Sequence, residues 1–378
     1  MDRPVRILHA HSIFALGGKE ARAVRLMNAF GAAAEHTIIS GVPGELSARD
    51  AIDRSVQVLF PGNAPSLTGR PGPRLWRLAR YMRGFDLVLT YNWGAFDAVM
   101  ARRLFGGPPL VHHEDGFNQD EAEALKKGRN AYRRLGLGAA YRLVVPSEQL
   151  EKVAVAAWRQ PQARIARIPN GVPAERFGSA PAGDAIPGLV RVPGETIIGT
   201  IAGLRPVKNL PRLVRAFAGM RNKAARLVIV GQGPESERII GEARRLGVAD
   251  RVLLPGFLAD PARYVRLFDI FALSSNSEQF PISLVEGMAA GLPVVATGVG
   301  DIPAIVSADN RPLIVAPDDE RGFTAALDSL AERPDLRRAI GEANRRRVAA
   351  EYDERRMIEH YARLYGEAIR HPRAFMPA

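Results

Sequence analysis

The chain has 378 residues, 47% of them hydrophobic, with 52 Lys and Arg against 40 Asp and Glu and a formal net charge of +12. That length suits two domains of about 150–200 residues each, and the charge favours an anionic partner: nucleic acid, an anionic membrane surface or a phosphorylated substrate. The lack of cysteine excludes a disulfide framework, thiolate metal sites and a Cys nucleophile, and no apolar run approaches the roughly 18–20 residues of a membrane span.

The N-terminus, MDRPVRILHAHS, enters a strand-like run directly, so no signal peptide is expected. In the first half, Val5–His9, His36–Ser40, Val56–Phe60, Asp86–Tyr91, Pro109–His113 and Tyr141–Ser147 read as strands. Helical patterns such as EARAVRLMNAF and RLWRLARYMR lie between them. Continuous apolar strands separated by helices imply a parallel sheet covered on both faces. Next comes Gly178–Glu195, rich in Gly, Pro and Ala and read as a linker. The second half repeats the alternation, with strands in TIIGTIAG, ARLVIVG, RVLLPGF, DIFALSS, LPVVAT and PLIVAP. Two long helical patterns follow Pro334, and the last, Asp353–His371, has no strand after it. The expected fold is α/β: two doubly wound, Rossmann-like parallel-sheet domains facing an interdomain cleft. The expected boundaries are 1–177, with helix 353–372 returning to that domain, a linker at 178–195, and 196–352.

Ligands of open α/β sheets bind at the carboxyl ends of the strands. GTIAGLRPVKNL (Gly199–Leu210) ends a strand at Gly203 and places Arg205 and Lys208 before a helix. Two cations beside free helix N–H groups suit a diphosphate; a solvated basic loop is the alternative. EQFPISLVEGMAAGLPVVAT (Glu278–Thr297) holds Glu278 and Glu286 with no basic neighbour inside the stretch. Pro281 suits the first turn of a helix, which leaves Glu278 in the preceding loop and Glu286 on the helix. A helix carboxylate can accept both hydroxyls of a ribose and a loop carboxylate a sugar hydroxyl; an exposed pair on an ordinary helix is the other reading.

The stretch resembles the E-x7-E motif of the retaining glycosyltransferases of the GT-B fold, group 1 and family-four type. The residues carrying it are Glu278 and Glu286 within S-x-x-E-x-F-P-I-S-L-V-E-G-M-A-A-G-L-P-V-V-A-T. GLRPVKN is similar to that family's phosphate loop, IVGQGPE (Ile229–Glu235) to its V-G-x-G-P-E turn, and LLPGF (Leu253–Phe257) to the strand leading to its base pocket. IPNGV (Ile168–Val172) matches the end of its first domain, and FALGGKEARAV (Phe14–Val24) its first Gly-Gly loop.

The resemblance implies a donor nucleotide-diphosphate sugar, UDP-sugar favoured, and a glycan or lipid-linked acceptor, with retention at the anomeric carbon. It implies that Glu286 holds the ribose, that Glu278 faces the transferred sugar, and that Arg205 and Lys208 bind the diphosphate and stabilise the leaving nucleotide. Gly203 and Asn209 flank those cations, Gly256 and Phe257 meet the base, and Gly17 and Gly18 let the first loop approach phosphates or acceptor closely. In LVHHEDGF (Leu110–Phe117) the alignment leaves His112 and His113 as candidates for the family's histidine, while matching E-x-G puts Asp115 there; His113 and Asp115 are named as cleft residues. His9 and His11, ending the first strand, also face that expected cleft. No Asp-x-Asp occurs, so Arg205 and Lys208 are expected to neutralise the diphosphate without a metal or other cofactor.

Glu121–Arg142 carries Lys126, Lys127, Arg129, Arg133, Arg134 and Arg142, interleaved with Leu125, Tyr132 and Leu135. It is expected to dock on anionic lipid, placing the protein in the cytoplasm or on the inner face of the cell membrane, in polysaccharide or lipopolysaccharide assembly; a solvated helix face is the alternative. A nucleotide-sugar epimerase of the same fold and a basic nucleic-acid-binding protein are the competing functions. The second would want a recognition helix or an aromatic RNA-binding pattern, and the sequence offers neither.

Overall fold

The computed structural model describes residues 3–70, 72–116 and 126–375. It divides into two units, Met1–Asn170 with Arg356–Ala378, and Gly171–Arg355. The first holds β1 (Val5–His11), β2 (Ala34–Ser40), β3 (Gln57–Leu59), β4 (Leu87–Tyr91), β5 (Leu110–His113), β6 (Arg142–Val145) and β7 (Ile165–Arg167), in the order β3-β2-β1-β4-β5-β6-β7. The second holds β8 (Ile197–Ile201), β9 (Arg226–Val230), β10 (Val252–Gly256), β11 (Ile270–Leu273), β12 (Val294–Thr297) and β13 (Ile314–Val315), in the order β10-β9-β8-β11-β12-β13. Every pairing in both sheets is parallel.

Each sheet is buried on both faces, as the unbroken apolar runs require. Successive strand residues enter opposite cores: Ile7 joins one and Leu8 the other in the first unit, and Ile197 and Ile198 do the same in the second. The alternation is the two-residue period of the pleat. Strand β7 was not expected, because Arg164 and Arg167 interrupt the apolar run around Ile165 and Ala166. Among the described residues no helix is long and apolar enough to cross a membrane.

The stretch expected to be a linker, Gly178–Glu195, is instead part of the second unit. Ile186 and Leu189 sit in its core beside Phe177 and Phe268. Arg191 grips Asp269 at 2.6 and 2.7 Å, and Asp269 Oδ2 accepts the N–H of Ile197 at the start of β8. Gly and Pro composition reports backbone shape, whereas two apolar anchors three residues apart in a non-helical segment leave no pattern. The units therefore meet in sequence at Asn170/Gly171 and Arg355/Arg356, in place of 177 and 352. At that double crossing Val172 N donates to Tyr352 O at 2.9 Å and Glu354 N to Val172 O at 3.0 Å. A Cβ on Gly171 would stand 2.6 Å from Glu354 Cα, so only glycine lets the two segments lie side by side. From Arg356 onward helix Glu354–Ala368 buries Met357, Tyr361, Leu364 and Tyr365 in the first unit's core.

Truncating Ile186 tests the reassignment. Ile186→Ala should destabilise the second unit by about 2–4 kcal/mol, the usual cost of a buried large-to-small change, measured by urea denaturation. A tether would unfold at an unchanged midpoint.

Candidate functional site

In a doubly wound sheet the crevice for a ligand opens where successive crossovers leave neighbouring strands in opposite directions. In the second unit that point lies between β8 and β11, which pair through Ile270↔Ile198 and Phe271↔Gly199. The loops leaving these strands are residues 202–209 and 274–281. They contain Gly203, Arg205, Lys208, Asn209 and Glu278.

Local chemistry shapes the first loop. Leu204 N donates to Gln232 O at 3.0 Å, tying it to the loop after β9. Gly233 takes φ +155° there, and a Cβ on it would stand 2.5 Å from Leu204 O. Pro206–Lys208 forms a 3-10 turn, and Asn209 enters the left-handed region at φ 43° before helix Leu210–Ala218. Arg205 is exposed and Lys208 half-buried. The free N–H groups of the helix and these cations together suit an anion.

Glu278 is not left without a counter-charge. Lys208 Nζ lies 2.5 Å from its Oε1, and Ser275 Oγ donates to the same oxygen at 2.6 Å. Gly300, at φ +57° in the loop after β12, backs the carboxylate's own peptide: a Cβ there would stand 2.1 Å from Glu278 O. Glu286 lies on helix Ile282–Ala289 and is 8% exposed. Pro281 caps that helix in place of entering its first turn. Gly287 presses the helix on β11, since a Cβ would meet Phe271 Cγ at 2.7 Å. Nearby, burial and then the charge of Glu286 raise the Tyr264 hydroxyl above its ordinary pKa. Gly256 ends β10 at φ +86°, its carbonyl accepting Gly231 N at 2.9 Å, and Phe257 stands out of the surface, 54% exposed. The second unit thus gathers the two carboxylates, both cations and the Gly256-Phe257 strand end along the carboxyl edge of one sheet.

The first unit holds the remaining candidates after β1 and at the end of β5, beside its own reversal between β1 and β4. Gly17 is the N-cap of helix Gly18–Phe30, and a Cβ on it would stand 3.0 Å from Glu20 Oε2. Glu20 is paired with Lys19. Asp115 is locked to the buried Arg22: Nη2 lies 2.8 Å from Oδ2, while Nη1 contacts Oδ1 and donates to Asn170 Oδ1 at 2.9 Å. Burial opposes the Asp115 charge, but the field and hydrogen bonds of Arg22 outweigh it and hold the carboxyl below its ordinary pKa. Asn92, left-handed at φ 56°, accepts Asp115 N at 2.7 Å. Arg22 and Asn170 lie inside quoted motifs, but their pairing was not foreseen, because a helix arginine carries no local sign of a partner 93 residues away.

His113 is corrected from a cleft residue to a packing one. It is 1% exposed; Nδ1 meets Thr90 O at 3.1 Å and Nε2 the Tyr365 hydroxyl at 2.8 Å. Burial, then Arg22, lowers its pKa to about 3. His112, His9 and His11 are likewise buried at a strand end. His9 Nε2 lies 2.9 Å from His36 Nδ1, and His11 stacks on Tyr91. The basic segment is corrected too. Its residues 121–125, Leu125 among them, lie outside the described residues. Arg133 is fully buried between Trp93 and Trp158 and paired with Glu114, and Arg129 lies over Trp93. Helix Lys127–Leu137 faces Arg133 inward because a guanidinium stacks on indole and pairs a carboxylate at once. Lys126, Lys127 and Arg134 remain on the surface.

Residues 186–347 match the family model for glycosyl transferases group 1, and residues 16–176 that for glycosyltransferase family 4. The chain is 30% identical over 177 residues to N-acetyl-alpha-D-glucosaminyl L-malate synthase of Bacillus anthracis, a match covering 47% of this chain and 46% of that protein. It is 28% identical over 311 residues to D-inositol 3-phosphate glycosyltransferase of Actinosynnema mirum, covering 77% of this chain and 74% of the relative. In structure it is similar to Anabaena HepE in complex with UDP, with a TM-score of 0.78 and 20% identity, covering 94% of this chain and 98% of that one. HepE has also been solved with UDP-glucose.

The buried histidines make the first unit sensitive to acid. Desolvation lowers His36 to about 4 and His113 to about 3, and pushes His9 and His11 well below their ordinary value. Unfolded imidazoles titrate near 6.5, so the unfolded chain binds more protons below that pH, and stability present above pH 6.5 is lost as pH falls towards the folded values. His36 and His113 should each remove roughly 2 kcal/mol at pH 5, and His9 and His11 act in the same direction. Thermal melts followed by circular dichroism should fall steeply between pH 6.5 and 4, and His36→Gln should flatten that slope.

Proposed function

The chain belongs to the group 1 and family 4 glycosyltransferases, with the GT-B fold, and from that premise we propose that it transfers a sugar from a nucleotide-diphosphate donor, UDP-sugar favoured, to a hydroxyl of a glycan or lipid-linked acceptor with retention of anomeric configuration. The observation that carries this is the junction of β8 and β11, where the 205–209 loop, a helix N-terminus and Glu278 converge on one strand edge. Arg205 and Lys208 bind the diphosphate, the first as a planar fork and the second as a point charge. Glu286 accepts the ribose hydroxyls and Glu278 a hydroxyl of the sugar. The bond from the anomeric carbon to the phosphate oxygen breaks as the acceptor oxygen bonds to the same face of that carbon. The acceptor's proton passes to the leaving phosphate oxygen, and the two cations stabilise the charge that develops there. The reaction as read uses no metal: Arg205, Lys208 and the free N–H groups of helix Leu210–Ala218 face the diphosphate in its place.

HepE, one structural neighbour, was solved with UDP and with UDP-glucose, which supports a uridine donor. The relatives named for L-malate and D-inositol 3-phosphate support a second reading of the acceptor, a small anionic hydroxyl compound. The setting we favour is envelope polysaccharide or lipopolysaccharide assembly in the cytoplasm or at its membrane. If the enzyme docks on anionic lipid, Lys126, Lys127 and Arg134 carry the contact, without Arg133.

Thermal shift against UDP-, GDP-, ADP- and TDP-sugars tests the donor. At one hundred times Kd, binding should stabilise the wild type by about 2.7 kcal/mol. Glu286→Ala should erase the shift for the same nucleotide. A panel that moves neither protein would sink the donor assignment, and an inverted product anomer by NMR would sink retention.

A further inference from the structure

The peptide leaving β11 reads Ser274-Ser275-Asn276, and its three residues bond different parts of the donor end. Ser274 Oγ lies 3.0 Å from the carbonyls of both Lys208 and Asn209. Asn276 N donates to Val207 O at 2.8 Å, and its Oδ1 accepts Asn209 Nδ2 at 3.0 Å. Both residues therefore act on the phosphate loop. Ser275 does not. It is 0% exposed, its carbonyl accepts Thr297 Oγ1 at 2.6 Å, and its hydroxyl donates to Glu278 Oε1.

Lys208 alone would hold Glu278 by a single flexible point contact. A hydroxyl on a strand end, pinned through its own backbone to β12, adds a second donor from a fixed direction. Two donors on one oxygen restrict rotation of the carboxylate. The strand end thereby divides its work: Ser274 and Asn276 shape the loop for the diphosphate, and Ser275 aims the carboxylate beside the sugar. We propose that Ser275 is a positioning residue for Glu278, governing sugar transfer separately from donor binding, which Ser274 governs through the phosphate loop. This rests on the reading of Glu278 as the sugar-side carboxylate.

The test is UDP release from UDP-glucose and UDP-N-acetylglucosamine, with water as acceptor, and binding of both by calorimetry. Ser275→Ala should lower kcat roughly 10- to 100-fold, the scale of a small misplacement near reacting atoms, with KM within about twofold. Ser274→Ala should instead raise donor KM. In a Glu278→Gln background, Ser275→Ala should change kcat by less than about twofold, because the group it orients has lost its charge. An equal loss of kcat in both backgrounds, or a rise in KM matching that of Ser274→Ala, would show mere scaffolding and overturn the proposal. Should Ser275→Ala fail to fold, Ser275→Cys keeps the volume with a weaker donor and should show the same kcat loss at unchanged KM; wild-type kinetics in it would overturn the proposal too. A wild type that binds neither sugar nucleotide overturns the donor reading, and this proposal with it. One that turns over donor with Ser275 immaterial overturns the proposal alone.

Discussion

Lys208 and Glu278 are 70 residues apart in the chain, and their 2.5 Å contact depends on the adjacency of β8 and β11. The crossovers β8-β9-β10 spread to one side and β11-β12-β13 to the other. The two strands that begin these runs are left side by side, and their outgoing loops must part. A parallel sheet wound both ways cannot avoid one such opening. Everything assigned to the donor follows from it: a cationic loop from one strand, a carboxylate from its neighbour, and a helix N-terminus between them.

Backbone hydrogen bonds join the loops at that opening, beside the side-chain bonds of Ser274, Ser275 and Asn209. Leu204 donates to Gln232, Gly231 to Gly256, and Asn276 to Val207, so the ends of β8, β9, β10 and β11 form one hydrogen-bonded rim. Glycines stand where another segment's carbonyl leaves no room for Cβ: Gly231 against Ala202, Gly233 against Leu204, Gly300 against Glu278. Such a rim costs little reorganisation when charge develops on a bound group, which is the condition for electrostatic catalysis. The first unit uses another device. Its reversal is filled by buried imidazoles and tyrosines, with one guanidinium, Arg22, tying helix Gly18–Phe30 to Asp115 and Asn170 and lying over Tyr361. That arrangement keeps Asp115 charged and oriented, at the cost of sensitivity to acid.

Apart from β7, the strands were legible because each is an apolar run too short for a helix and bounded by turn residues. The second unit's candidate site was legible as well: Arg205, Lys208, Glu278 and Glu286 all follow strands in order. What misled was local composition read without partners. The Gly- and Pro-rich 178–195 stretch carries two apolar residues that enter a core. His113 at a strand end was read as chemistry and is packing. Arg133 was read as a surface cation meeting anionic lipid and is sandwiched between two tryptophans. In each case burial is a property of the neighbours, and those neighbours lie far off in sequence.

By itself the sequence determined the alternation of strand and helix, hence parallel sheets with covered faces, and the placement of cations and carboxylates just after strands. Those follow from period and from chain order, which are local. Only the tertiary structure decided which loops share an edge, that Glu278 has Lys208 and Ser275 on one oxygen, and which charges lie inside. Strand order is set by how crossovers pack over the whole sheet, and a charge is neutral, paired or free according to what that packing brings within a few ångströms of it.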